Sequence, residues 1–122
     1  MSEKCILVAE DDPIIRRITV NALKPYGYAI LQAIDGHEAL EISNKYQGHI
    51  DLLITNVSMP RMHGHELAQR IKQSRPDICI LIVSGFHERE FPPGAVHYAD
   101  SLLKPFEPDA LVGKVKQLLL AA

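Results

Sequence analysis

Five polar residues of this sequence stand just past apolar segments, and together they could bind a divalent cation and a phosphoryl group. Glu10 and Asp11 form an acid pair, Ser84 supplies a hydroxyl and Lys104 an ammonium group. Hard cations prefer carboxylate oxygens, and hydroxyl and ammonium groups donate hydrogen bonds to phosphoryl oxygens. Asn56 stands where the nucleophile of such a site is expected. Its neutral amide has the shape of an aspartate without the charge, so we expect it to attack phosphorus very poorly.

The apolar pattern predicts the elements that must position these residues. Continuous apolar runs are typical of strands covered on both faces. The predicted strands cover residues 5–9, 28–33, 52–54, 78–83 and 102–103. Segments with helical periodicity alternate with them, which predicts an α/β fold: a doubly wound, five-stranded parallel sheet with helices on both faces. The carboxyl ends of parallel strands meet at one edge of the sheet, so all five polar residues are expected there.

One connection departs from this alternation. Pro92, Pro93 and Gly94 fall where a helix is expected between the fourth and fifth strands. Proline inside a helix costs about 3 kcal/mol. We therefore expect this fourth helix to be short, displaced or absent.

Length and composition bound the possible function. The 122 residues are 47% apolar, which is enough for one core, so residues 1–122 are predicted to form a single domain. The net charge is −2 and no basic run occurs, which disfavours direct binding to nucleic acid or to an anionic membrane. The first strand begins at Cys5 and no apolar stretch approaches the ~20 residues of a membrane helix. We expect a soluble, cytoplasmic protein.

With these residues placed, the sequence resembles the response-regulator receiver family over essentially its whole length. The resemblance is carried by four segments in the family's order and register: residues 6–11, residues 51–56 with the Met-Pro pair and Gly64 that follow, residues 83–85, and residues 104–106. It implies the flavodoxin-like strand order 2-1-3-4-5. It also implies that the domain takes a phosphoryl group from a histidine and acts in a two-component phosphorelay.

The resemblance assigns a role to each polar residue. Glu10, Asp11 and the main-chain carbonyl of Ser58 are the family's Mg²⁺ ligands, and the Asn56 side-chain oxygen is a possible further one. Ser84 and Lys104 are expected to contact the phosphoryl group. Asn56 occupies the phosphoacceptor position, so we expect no acyl phosphate and weakened Mg²⁺ affinity. An active receiver catalyses its own phosphotransfer and dephosphorylation, and the amide is expected to abolish both, so enzymatic activity is not predicted.

The resemblance also identifies a departure in the output surface. Family members usually carry an aromatic residue three positions before the lysine, and this residue turns inward on phosphorylation. Ser101 occupies that switch position, and the nearest aromatic is Tyr98. The usual switch is therefore not expected to operate.

The predicted function is a regulated protein-interaction module. Its expected partners are a sensor histidine kinase or a histidine phosphotransfer protein, and a downstream target or output domain. The chain is either a pseudo-receiver or a substituted form of an active receiver, and either stand-alone or part of a longer protein. The alternative from another class is a flavin- or nucleotide-binding protein of flavodoxin-like fold, although three acids and a proline open the first helix where such proteins need a phosphate-binding loop.

Two further sets of residues are assigned structural roles. Thr55 has a hydroxyl beside Asn56, but neighbours on a strand face opposite ways, so we expect it to point away from the site. His63 and His65 lack a third ligand at definite spacing and are interpreted as solvated loop residues rather than metal ligands.

Overall fold

Five strands and four α-helices alternate along the residues that the computed structural model describes, 3–85 and 100–121. The strands are β1 (Cys5–Ala9), β2 (Ala29–Ala33), β3 (Leu52–Asn56), β4 (Cys79–Ser84) and β5 (Asp100–Leu103). The helices are α1 (Pro13–Leu23), α2 (Gly36–Lys45), α3 (Gly64–Ser74) and α4 (Pro108–Ala121), and a 3₁₀ turn over Lys24–Tyr26 follows α1. All pairings are parallel, and the order β2-β1-β3-β4-β5 confirms the predicted fold. The segment in which the fourth helix is expected to be short, displaced or absent lies outside the described residues.

The sheet separates two apolar layers, and alternate residues of the same strands contribute side chains to each layer. Leu7 and Leu53 pack with Leu67 and Ile71 of α3 on one face, where α2 also packs. The neighbouring strand residues pack on the opposite face against α1 and α4: Ile6, Val8, Leu52 and Ile54, with Leu23, Leu111 and Val115 from the helices. Both faces of the central strands are therefore buried, which explains their continuous apolar sequences.

A partly buried carboxylate, that of Asp51, fixes the amino-terminal edge of the sheet. Asp51 accepts a hydrogen bond of 2.8 Å from the main-chain nitrogen of Cys5 through its side chain. The main chain of Asp51 also donates to the Cys5 carbonyl and accepts from Cys79. One residue therefore joins the starts of β1, β3 and β4.

An aspartate caps the start of each of the first two helices. The Asp12 carboxylate accepts hydrogen bonds of 2.8 and 3.2 Å from the main-chain nitrogens of Ile14 and Ile15, and Pro13 is the first residue of α1. Asp35 accepts a bond of 2.8 Å from the main-chain nitrogen of Glu38 at the start of α2. These contacts satisfy donors that a helix start otherwise leaves unpaired. An aspartate followed by proline, as at Asp12 and Pro13, is typical of such a helix start.

The start of α3 packs directly against the end of β3. Gly64 donates to the Val57 carbonyl at 2.8 Å. A Cβ atom added to Gly64 would lie 1.8 Å from the main-chain oxygen of Asn56. Only glycine fits this approach, and it sets the main-chain position of the residue at the centre of the predicted site.

The interpretation of both histidines near α3 as solvated loop residues is wrong for His65. His63 precedes the helix and is exposed, but His65 lies in the first turn of α3 and only 7% of it is exposed. The helix begins one turn earlier than the apolar stripe does, which turns His65 inward. Burial, with a smaller contribution from His63, lowers the pKa of His65 below the usual value.

Within the described ranges, no helix is long and apolar enough to span a membrane.

Substitution of Gly64 by alanine should destabilise the protein by about 3 kcal/mol, the upper range for overpacking, because the new methyl group meets main-chain atoms that cannot move aside. Gly113→Ala is the matched control. A Cβ at Gly113 meets nothing within 4 Å, so this change inside α4 should stabilise by about 0.5–1 kcal/mol. Urea unfolding of both variants measures the two effects. Equal stability of the two variants would contradict the close approach.

His65 should make the stability depend on pH. Its folded pKa is lower than its unfolded value of about 6.5, so the unfolded chain takes up the proton more readily. The stabilising contribution is therefore complete above that unfolded value and is lost as the pH falls toward the folded pKa. Urea midpoints should decrease over this window in the unchanged protein and less in His65→Leu. The exposed His37→Gln change is the control and should keep the original pH dependence.

Candidate functional site

Four strand ends meet at the carboxyl edge of the sheet and bring the predicted site residues to one place. Glu10 and Asp11 follow β1, Asn56 ends β3 and Ser84 ends β4. Lys104 follows β5. The order of the sheet places β3 between β1 and β4, so Asn56 occupies the middle of this edge. Strand β1 is also where the chain changes direction along the sheet, with β2 on one side and β3 on the other, and such switch points are where ligands bind in folds of this class.

The Asn56 amide bridges the acid pair. Its nitrogen donates hydrogen bonds to the carboxylates of both Glu10 and Asp11, the second at 3.0 Å. The amide has two N–H groups, so one nitrogen can serve both acids. Asn56 and Glu10 are each 5% exposed, so water is largely kept from their contact, whereas Asp11 is exposed. One amide group is thereby bonded to both acids.

Glu10 is the most heavily bonded member of the group. One carboxylate oxygen accepts from the main-chain nitrogen of Asp12 at 3.0 Å as well as from Asn56. The other lies 3.2 Å from the Lys104 ammonium nitrogen. The Glu10 main chain donates to Ala33 at 3.0 Å and accepts from the Arg16 guanidinium at 2.7 Å. Each oxygen of the Glu10 carboxylate thus has a donor, as expected for a residue that is only 5% exposed.

The side-chain oxygen of Asn56 is the unused atom of the site. It is fully buried and has no hydrogen-bond partner among the residues that the structure describes. A buried carbonyl without a partner costs free energy. The amide nevertheless keeps its nitrogen toward the acids, because reversing it would bring its oxygen against two carboxylates.

Ser84 and Lys104 are linked through the main chain. The Lys104 nitrogen donates to the Ser84 carbonyl at 2.8 Å, which places the start of the β5 loop beside the end of β4. Ser84 is buried and the Lys104 side chain is one quarter exposed. The Lys104–Pro105 peptide bond is cis. The hydroxyl and the ammonium group therefore stand on the same edge as Asn56, one and two strands away from it.

The loop after β3, which contains Ser58, is fastened to α2. Arg61 has a positive φ of 68° and its guanidinium lies 3.2 Å from the Asp35 carboxylate. Met62 is buried against Gly36, where a Cβ would lie 2.8 Å from the Met62 sulfur. These two contacts hold the exposed Ser58 next to the end of β3.

Two neighbouring residues do not join the acid and amide group. Thr55 is fully buried, and its hydroxyl donates to the main-chain carbonyl of Asn56 at 3.1 Å. Its methyl group faces Gly64, in agreement with the prediction that it points away from the site. Ser101 is exposed on β5, opposite Ile82 of β4. Tyr98 lies outside the described residues.

The arrangement meets only part of what a divalent cation requires. The donor types suit Mg²⁺, because two carboxylates, an amide oxygen and a main-chain carbonyl are all hard oxygen ligands. Their orientation does not, because the amide nitrogen of Asn56 lies between the acids and Lys104 contacts the other oxygen of Glu10. Over residues 3–85 and 100–121, no three His, Cys, Asp or Glu side chains form a group that could hold a metal ion.

Sequence reasoning missed two residues that support the site. Arg16 bonds the main chain of Glu10 from the first turns of α1, and Arg61 ties the Ser58 loop to Asp35. The Arg16 contact follows from helix geometry once α1 is known to start at Pro13. No local pattern indicates the Arg61 contact, because its partner is 26 residues away.

Comparison with known proteins identifies the family. The model of the response regulator receiver domain matches residues 6–116. The response regulator receiver protein CpdR of Brucella abortus is 37% identical over 121 residues, which cover 98% of this chain and 99% of CpdR. The sensor kinase CckA of the same organism is 35% identical over 117 residues, 93% of this chain, and the match spans 12% of the kinase. The structure of the Vibrio cholerae chemotaxis protein CheY4 matches with a TM-score of 0.83 at 28% identity, covering 97% of this chain and all of that one.

These matches favour the receiver interpretation over the flavin- or nucleotide-binding alternative. Receiver domains are generally regulatory rather than classical enzymes, and they generally bind Mg²⁺. They interact with histidine kinases and with downstream targets. The chain belongs to the response regulator receiver domain family.

Proposed function

We propose that this receiver domain acts as a protein-interaction module of a two-component phosphorelay without accepting a phosphoryl group at residue 56. The observation that carries the proposal is Asn56 at the centre of the carboxyl edge, with its amide nitrogen bonded to Glu10 and Asp11. An acyl phosphate needs an anionic carboxylate oxygen to attack phosphorus. The amide has no such oxygen, and its donors are already committed to the acids.

The remaining site residues are assigned the roles that the family gives them. Glu10, Asp11 and the Ser58 carbonyl form the cation-binding side, and Ser84 and Lys104 form the phosphoryl-contacting side. An amide in place of the third acid lowers the negative charge of the site, and with it the attraction for Mg²⁺. We therefore expect Mg²⁺ affinity in the millimolar range or weaker. The proposal places the whole chain, residues 1–122, in this one domain.

The output of the domain should also be independent of phosphate. Ser101 is exposed on β5 and has no ring that could turn inward. The proposed partners are a sensor histidine kinase or a histidine phosphotransfer protein on one side and a downstream target or output domain on the other. They would recognise a surface that does not change with phosphorylation of residue 56, which is the behaviour of a pseudo-receiver.

Restoring the acid should restore the site. Beryllofluoride with Mg²⁺ mimics a phosphoryl group, and calorimetry should detect its binding to Asn56→Asp but not to the unchanged protein. Asn44→Asp makes the same chemical change on the exposed face of α2 and should bind nothing. A base-labile phosphate on the unchanged protein after incubation with a small phosphodonor would contradict the proposal.

Ser84 should affect the rate of phosphoryl transfer only when residue 56 is an aspartate. In the Asn56→Asp background, Ser84→Ala should slow phosphoryl transfer from a small donor by about tenfold or more, because one preorganised donor to the transferred group is lost. Ser101→Ala removes a hydroxyl from the exposed side of the neighbouring strand and should leave the rate unchanged. Stopped-flow measurement of both double variants tests the assignment, and equal rates for the two would refute it.

A further inference from the structure

The contacts of Asn56 suggest more than the loss of a nucleophile. Its amide nitrogen lies between two carboxylates that would otherwise repel each other, and it donates to both. The positive end of the amide dipole therefore stands where the acids of a receiver generally receive a cation. The arrangement gives each acid a hydrogen-bond donor from the same amide group.

Charge in the group is partly balanced by Lys104. Its ammonium nitrogen is 3.2 Å from the Glu10 oxygen that Asn56 does not contact. Two carboxylates and one ammonium leave a single net negative charge over the four side chains. Both oxygens of Glu10 are thereby taken, one by Lys104 and the other by Asn56 and the Asp12 main chain.

We propose that the Asn56 side chain is a built-in substitute for the divalent cation: it holds Glu10 and Asp11 together in the absence of metal and competes with a cation for them. The inference rests on the proposed function, since it concerns a receiver whose residue 56 is an amide. It gives Asn56 a positioning role in place of the missing chemical one. A cation cannot contact both carboxylates while the amide nitrogen lies between them, so the two occupants exclude each other.

The alternative explanation is that the amide merely removes a charge. An uncharged residue of any kind at position 56 would then relieve the repulsion among the acids equally well. The two explanations differ for a residue that has neither a charge nor a donor. Asn56→Ala removes the bridge without adding a charge, whereas Asn56→Asp removes the bridge and adds one.

Thermal unfolding of three proteins with EDTA and with excess Mg²⁺ tests the proposal. With EDTA, the unchanged protein should melt highest, Asn56→Ala about 5–10 °C lower and Asn56→Asp lower still, because each loses hydrogen bonds to charged groups. Excess Mg²⁺ should raise the melting temperature of both variants more than that of the unchanged protein, because only in the unchanged protein does the amide compete with the cation. Asn44→Asp is the matched control and should show neither the decrease nor the response to Mg²⁺.

Two results would overturn the inference. One is an unchanged protein that gains as much from Mg²⁺ as Asn56→Asp does. The other is Asn56→Ala melting with the unchanged protein in EDTA, which would mean that loss of charge alone is responsible.

A second measurement keeps the test decisive if Asn56→Ala fails to fold. In NMR spectra of the unchanged protein recorded with EDTA, the side-chain amide protons of Asn56, assigned as the pair missing from Asn56→Asp, should exchange slowly with solvent. Fast exchange would overturn the inference. These outcomes are independent of phosphotransfer, because a phosphorylated unchanged protein would refute the proposed function and leave the melting pattern intact.

Discussion

A charged carboxylate that is removed from water needs several hydrogen-bond or ionic partners, because the free energy lost in desolvation exceeds the free energy gained from one contact. The Glu10 carboxylate meets this demand with the Asn56 amide from β3, the Lys104 ammonium group after β5 and the main-chain nitrogen of Asp12. Arg16 of α1 bonds the main-chain carbonyl of Glu10. Each partner must arrive at the correct distance for the others to fit. The buried acid therefore couples the ends of β1, β3 and β5 to the first turns of α1.

The main chain at Asn56 is held as tightly as its side chain. Its carbonyl accepts from the Thr55 hydroxyl and sits against Gly64, where no Cβ could be accommodated. The next residue, Val57, donates to the Val83 carbonyl of β4 and accepts from Gly64. Because its main chain is held in place, the Asn56 side chain has little freedom to move. This suits a residue that bonds two neighbouring acids.

Much of this arrangement could be predicted because the signals are local. Continuous apolar runs predict the strands. The polar residues that follow them are predicted to lie together, because the carboxyl ends of parallel strands meet at one edge. Strand β5 began two residues earlier than predicted because Asp100 and Ser101 are polar residues of an edge strand. His65 was misplaced because the apolar stripe of α3 starts after the helix does. The amide bridge could not be predicted, because it depends on distances between residues 10, 11 and 56 that no pattern along the chain encodes.

The two apolar layers have a consequence for strand alignment. A slip of one residue turns every side chain of a strand to the opposite face, and in most sheets this exposes apolar groups to water and is thereby prevented. Here both faces are covered, so a slipped β1 or β3 would still be buried, and hydrophobicity distinguishes the two alignments poorly. Alignment then depends on polar residues at the strand ends: Asp51 against Cys5 at one edge, Glu10 against Asn56 at the other. Asp51 and Glu10 thus have a structural role that is unrelated to phosphate, because they fix the alignment of the strands at the two edges of the sheet.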